Sequence, residues 1–255
     1  MKLLSLDTST EFLSLAIQVG EQTLTHYQLA GNASSTLILP QIQALLEEAN
    51  IKLSDLDGIA FGAGPGAFTG VRIACGVAQG LGFGANIPVV GINTLLAVAE
   101  ASDADKVIVC LDARMGEIYH AAFAKVFTQN KLNNDWQQIQ ETTVCKPEYA
   151  PVLVAGASTI SSNEKDWVGV GSGWAVCGDI LKNIYAQNLV NIHADITPTA
   201  EAILKLATPL FLAGLAKPAR DATPIYIRNK VALTDRKSTR LNSSHLDLSR
   251  MPSSA

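Results

Sequence analysis

Charge is scarce in this 255-residue chain: Asp, Glu, Lys and Arg make up 16% of it, against 48% apolar residues. That balance excludes global disorder, because a chain of this length and apolar content can bury the core of one large domain or two small ones. A basic excess is missing too. Nineteen Lys and Arg face 23 Asp and Glu, a formal charge of −4. Unaided binding to RNA or DNA draws on counterion release from a basic surface, so any role beside RNA needs a partner that carries the phosphate contacts. No apolar run reaches the roughly 18–20 residues of a membrane span, and Met1-Lys2-Leu3-Leu4 meets Ser5 and Asp7 too soon for a signal peptide. Cys75, Cys110, Cys145 and Cys177 are far apart with no C-x-x-C pair. This excludes a zinc ribbon or disulfide scaffold and fits reduced thiols in a cytoplasmic protein. Histidine is sparse: His26, His120 and His193 precede the tail, with no i, i+4 pair to hold a metal on a helix. No G-x-S-x-G elbow and no Walker lysine occur. A complete catalytic site is therefore absent from the pattern.

What is present alternates between strand and helix periods. Lys2 to Asp7 is a short apolar run ending in the polar turn Asp7-Thr8-Ser9-Thr10, and Phe12 to Val19 follows at period two. A third strand is expected over Thr23 to Leu29. Ile38, Ile42, Leu45, Leu46 and Ala49 recur at helical spacing over Ser35 to Asn50, with Pro40 in the first turn or kinking it. Strand Gly58 to Phe61, a glycine-rich loop, a helix over Thr69 to Phe83, strand Pro88 to Gly91 and helix Thr94 to Ala101 complete a mixed sheet with helices packed on it. A second unit opens at Lys106 to Asp112, again strand, acidic turn (Asp112-Ala113-Arg114) and strand, Glu117 to Val126. Asn130 to Gln140 reads as a surface loop, Val168 to Val170 as a strand, Thr199 to Ala213 as a helix, and Pro224 to Arg228 as a late strand or extended arm. Lys237 to Ala255 has six serines and no apolar period; it reads as an appended tail and is left out of the fold.

Each candidate site has two readings. Gly62 to Gly70, between a strand and a helix, either cradles a phosphate or allows close packing. Gly171-Ser172-Gly173 poses the same choice. Asp7, Thr8 and Ser9 either present an acid and hydroxyls to a hydrated metal and phosphate or form a capped turn. Asp112 and Arg114, with Glu117, make an ion-paired turn or a ligand contact. In the helix after the first loop, Gly76, Gly80 and Gly84 recur every four residues. Each costs about 1 kcal/mol against alanine, so a backbone must come close, from this fold or from another subunit.

Five blocks in order resemble one family: Leu4-Ser5-Leu6-Asp7-Thr8-Ser9-Thr10, Gly64-Pro65-Gly66-Ala67-Phe68-Thr69-Gly70-Val71-Arg72-Ile73, Asp112-Ala113-Arg114-Met115-Gly116-Glu117-Ile118-Tyr119, Gly171-Ser172-Gly173-Trp174 and Pro224-Ile225-Tyr226-Ile227-Arg228-Asn229. They are similar to the TsaB (YeaZ) family of tRNA N6-threonylcarbamoyladenosine (t6A) biosynthesis and span residues 1 to about 236. The resemblance implies an α/β, two-lobed fold of the actin, sugar-kinase and Hsp70 (ASKHA) type, with mixed sheets flanked by helices. Residues 1–104 would form the N-terminal lobe and 105–236 the C-terminal lobe, with 218–236 returning to the first. It implies a non-catalytic subunit that binds and activates the catalytic paralogue TsaD, with a TsaE-like ATPase supporting turnover. tRNA would be met only through the complex, no membrane is involved, and a homodimer forms when TsaD is absent. No cofactor is intrinsic, and ATP or ADP would sit at the joint surface with TsaD. The interface carried over falls on Ile38, Ile42 and Leu45 of the first helix and on Arg72, Ile73, Gly76 and Gly80 of the second. TsaD-like proteins hold their metal with histidines on the first helix. Here that region reads Asn32-Ala33-Ser34-Ser35-Thr36, so no metal is expected; many relatives keep a histidine near Ser34, and this chain does not. The competing expectation is a free-standing ATP-dependent phosphotransferase of the same fold. A metalloprotease, a label long attached to TsaD relatives, lacks the histidine pair it would need.

Overall fold

Two five-stranded sheets of one topology organise the chain, in a computed structural model that describes residues 1–127, 134–153 and 165–227. The first contains β1 (Lys2–Asp7), β2 (Phe12–Val19), β3 (Gln22–Leu29), β4 (Gly58–Gly64) and β5 (Val89–Asn93), in the order β3-β2-β1-β4-β5. The second contains β6 (Lys106–Asp112), β7 (Ile118–Phe127), β8 (Asn134–Cys145), β9 (Trp167–Val170) and β10 (Leu189–His193), in the order β8-β7-β6-β9-β10. In each, the first three strands form antiparallel hairpins, and the fourth and fifth join in parallel. Among the described residues five α-helices cover the sheets: α1 (Ser34–Glu48), α2 (Phe68–Ala85), α3 (Thr94–Ala101), α4 (Gly173–Ile184) and α5 (Ala200–Leu212).

Packing follows from which face of each strand is apolar. Leu4, Leu6, Leu13, Leu15, Ile17, Ile59 and Phe61 meet Ile38, Ile42, Leu45, Ala74 and Ala78 of α1 and α2. The opposite face, with Leu3, Ala16 and Ala60, meets Ala200, Ile203, Leu204, Ala207 and Phe211 of α5. The second sheet buries Ile108, Cys110, Ile118 and Ala122 against Trp174 and Leu181 of α4. Its other face packs Val107, Val109, Ala121 and Phe123 against Leu95, Val98 and Ala99 of α3. Helices α3 and α5 touch each other, so both lie between the sheets. Among the described residues no helix is long and apolar enough to cross a membrane.

Three departures from the sequence reading have physical causes. Helix α5 falls within the stretch assigned to the second lobe, yet it packs on the first sheet. Its start is pinned there by buried polar bonds: Ser5 Oγ donates to the Ala200 carbonyl at 2.6 Å, and the Ala200 N–H donates to Ser14 Oγ at 2.8 Å. An amphipathic period identifies a buried face, not the sheet that buries it. After α5 the chain stays with the first sheet, where Lys217 bridges Val89 and the Ile225 N–H donates to the Ala63 carbonyl at 2.7 Å. Pro224 to Ile227 is thus an extended arm; Arg228, Asn229 and the 237–255 tail lie outside the described residues. Second, the expected loop Asn130 to Gln140 is corrected from Asn134 onward, where β8 pairs with β7; residues 130–133 lie outside the described residues. An edge strand tolerates polar side chains along its open side. Third, α4 and β10 were not anticipated. Trp174, Cys177, Leu181 and Ile184 do carry a helical period, all packed in one cluster, whereas β10 is a short, mostly exposed edge. Pro40 stands in the second turn of α1 and takes its backbone N–H out of the helical ladder there.

Candidate functional site

The first acidic turn is sealed. Asp7 is 1% exposed, and Thr8 and Ser9 are buried beside it. The Ser9 N–H and Oγ–H donate to Asp7 Oδ1 at 3.0 and 2.9 Å, an Asx-type turn. Thr8 Oγ1 donates to the Gly70 carbonyl at 2.7 Å, and the Ala67 N–H donates to the Ser9 carbonyl at 2.7 Å. The glycine loop therefore lies on the turn. A Cβ on Gly66 would stand 2.6 Å from the Ser9 carbonyl oxygen, and one on Gly70 would collide with the Thr8 carbonyl. Of the two readings for this loop, close packing accounts for the glycines. Asp7 Oδ2 has no hydrogen-bond partner, and burial raises the carboxyl to about 6, against the two Ser9 bonds that lower it.

The second acidic turn is built on the same plan and left open. Gly171, at φ +99°, and Gly173 press on β6: added Cβ atoms would lie 2.7 and 2.9 Å from Cys110 backbone atoms. The Asp112 N–H donates to Ser172 Oγ at 3.0 Å, which brings this turn to the second glycine loop. Asp112 Oδ1 accepts the Arg114 N–H at 2.8 Å, and Oδ2 pairs with the exposed Arg114 guanidinium at 3.2 Å. The residues named for nucleotide contact are thus brought together within each lobe, but their polar groups are largely spent on each other. In the first lobe Asp7 Oδ2 alone is left without a hydrogen-bond partner among these side-chain oxygens. No group of three or more His, Cys, Asp or Glu that could hold a metal exists among the described residues.

Helices α1 and α2 divide the residues named for partner contact. Ile38, Ile42 and Leu45 are 1, 2 and 5% exposed, inside the core under the first sheet. They are corrected from interface to core: their helical spacing marks the face that this fold itself buries. Ile73 is half-buried against the same cluster. Arg72, Gly76 and Gly80 are exposed. Above Gly76, Gly80 and Gly84 the space is open, with nothing near an added Cβ. Internal packing does not account for these three glycines. The stripe is flanked by Phe68 and Phe83, 50 and 76% exposed, and Leu39 of the adjacent α1 is exposed as well. Ser34 instead is buried at the start of α1, its Oγ donating to the Gly31 carbonyl at 2.9 Å.

Sequence reasoning missed two features here. Tyr226 joins the exposed α2 face from the returning arm, through a hydrogen bond from Arg72. Behind the second turn, buried Tyr185 donates to the Pro151 carbonyl at 2.6 Å, so its oxygen accepts from His120 Nε2 at 2.8 Å. His120 Nδ1 then carries an unpartnered lone pair, and burial lowers the imidazole to about 4. Proximity in sequence announces neither.

The chain is similar to a protein of Escherichia coli K12 described as tRNA threonylcarbamoyladenosine biosynthesis protein TsaB, with 35% identity over 237 residues, covering 91% of this chain and 96% of that one. It belongs to the TsaB (YeaZ) family. A Haemophilus influenzae TsaB of the same description is 36% identical, over 91% of this chain and 95% of its own. Among solved structures, a Pseudomonas aeruginosa protein titled as YeaZ superimposes with a TM-score of 0.73 at 35% identity, covering 88% of this chain and 99% of that one. Residues 22–235 also match the family model of TsaD, tRNA N6-adenosine threonylcarbamoyltransferase. The two mixed sheets with flanking helices make a two-lobed ASKHA-type arrangement, which the YeaZ structure and the TsaD family model both fit.

Proposed function

We propose that this chain is a non-catalytic subunit in t6A formation on tRNA, acting by docking α1 and α2 onto a TsaD-like catalytic subunit. One observation carries the reading: an 18-residue helix keeps Gly76, Gly80 and Gly84 along an exposed face with open space above them. Each glycine costs about 1 kcal/mol in a helix, and nothing among the described residues repays that cost. A partner backbone seated on the stripe would.

The two acidic turns support the non-catalytic half of the proposal, since their hydroxyls and carboxylates are mostly bonded inside the fold. ATP or ADP then belongs to the joint surface with the catalytic subunit, and a TsaE-like ATPase to the assembled complex. With a formal charge of −4, the chain meets tRNA through that complex rather than alone. Without the catalytic subunit, the same face pairs two copies. Light scattering on the chain alone and mixed with the matching TsaD-like protein tests this: a homodimer giving way to a 1:1 complex is expected. A monomer indifferent to TsaD would overturn it.

Asp7 Oδ2, a carboxylate oxygen without a partner, favours the rival phosphotransferase. It points at Gly62 inside the core, where an added Cβ would collide with it. Nucleotide titration of the purified chain separates the two readings, with no ATP binding and no turnover expected.

A further inference from the structure

Arg72 is the one cation on the exposed face of α2, and it is held from two sides. Its guanidinium carbon lies 3.6 Å from the ring centre of Phe68 and 5.6 Å from that of Tyr226. Its Nε–H donates to Tyr226 Oη at 2.7 Å. The two rings stand 6.0 Å apart at 40°, each about half exposed. Phe68 belongs to the first turn of α2. Tyr226 arrives 154 residues later on the arm that the Ala63 carbonyl anchors through the Ile225 N–H.

This geometry fixes more than it satisfies. An arginine on an open helix face ordinarily samples many rotamers; here ring stacking and the Nε bond select one. The four N–H bonds of its two terminal nitrogens are left over, and no carboxylate of the described residues pairs with them. A half-exposed arginine backed by aromatic rings, beside a stripe where a backbone can approach closely, has the make-up of an interface hot spot. The missing element is an acid, which the described residues do not supply.

We propose that Tyr226 is a positioning residue of the docking face: the returning arm holds Arg72 so that its terminal N–H groups meet a carboxylate on the TsaD-like subunit. The inference rests on the docking reading above and adds to it a partner chemistry and a part for the arm.

Binding of the matching TsaD-like protein, measured by calorimetry for wild type, Arg72→Ala, Tyr226→Ala, Tyr226→Phe and the Arg72→Ala/Tyr226→Ala pair, tests it. Arg72→Ala should weaken binding about 30-fold, as a hot-spot truncation does. Tyr226→Ala should cost about 10-fold, and Tyr226→Phe, which keeps the ring and loses the acceptor, about 3-fold. The double variant should bind no worse than Arg72→Ala alone, because Tyr226 acts through the arginine. Arg72→Ala should also flatten the salt dependence of binding, which a merely structural role would leave unchanged. Unchanged binding in Tyr226→Ala with a loss in Arg72→Ala, or losses that multiply in the double variant, would overturn the inference and leave docking intact. Wild-type failure to bind the TsaD-like protein would remove both. If Arg72→Ala binds normally and another copy of the chain is what the variants lose, the face serves the homodimer and the carboxylate proposal falls.

Discussion

In the first lobe the turn after β1 is shut beneath the glycine loop, and the helix that follows displays its own glycines to solvent. In the second lobe the turn after β6 sits on an equivalent loop, yet Arg114 is exposed and α4 is a shorter helix that packs on its sheet through Trp174 and Leu181. One topology thus carries two divisions of labour. Glycines that face the fold serve close backbone packing in both lobes; glycines that face solvent in a row, at Gly76, Gly80 and Gly84, belong only to α2 among the described helices. Where a glycine points decides what it is for.

The largest expected effect breaks that contrast within one segment. Gly70→Ala drives a Cβ into the Thr8 carbonyl and should destabilise the fold by about 3–5 kcal/mol in urea unfolding. An effect below about 1 kcal/mol would mean the turn and loop are not packed as described.

The lobes also carry opposed proton linkages over one pH window. Asp7 is raised to about 6 from a model-peptide value of 3.8, so the stability it contributes is full below about 4 and is lost as pH rises through 6. His120 is lowered to about 4 from 6.5, so its stability is full above 6.5 and is lost as pH falls through 4. In the wild type the two largely cancel. Asp7→Asn should leave stability rising with pH between 4 and 7 by about 3 kcal/mol, and His120→Gln should leave it falling by a similar amount. Urea unfolding across that range reads both slopes; parallel profiles for the two variants would contradict the assignment.

Smaller effects sharpen the comparison. Tyr185→Phe strips the partner from His120 Nε2, leaves the Pro151 carbonyl with the Gln140 Nε2–H alone, and should cost about 1–2 kcal/mol by thermal or urea unfolding, with the first lobe's contacts unaltered. Gly76→Ala, in open space on a helix, should gain up to about 1 kcal/mol. A loss there would show that something in the fold does close on that face.

Much of this architecture was legible in the chain itself. The span of α3, the opening strands and the two acidic turns follow from period and turn chemistry, because those signals are local. The family resemblance rests on five blocks that the structure gathers in part: the first two meet at Thr8 and Gly70, and the third and fourth at Asp112 and Ser172. The face proposed for docking was half legible. In α1 the period picked out Ile38, Ile42 and Leu45, since hydrophobic spacing marks what the fold buries and is silent about the reverse side. The α2 glycines were legible for the opposite reason, a helix cost with no local excuse. Tyr226 beside Arg72 and α5 on the first sheet depend on long-range closure, which no local pattern encodes.

The most direct test sets one lobe against the other. Gly80 on α2 and Gly178 on α4 both have open space around an added Cβ. Gly80→Leu and Gly178→Leu should both fold, with melting temperatures near that of the wild type. Titrated with the TsaD-like subunit under light scattering, Gly178→Leu should form the 1:1 complex as the wild type does. Gly80→Leu should lose about 100-fold in affinity, as a leucine forced into a close backbone contact implies. Equal binding by the two variants would contradict the account.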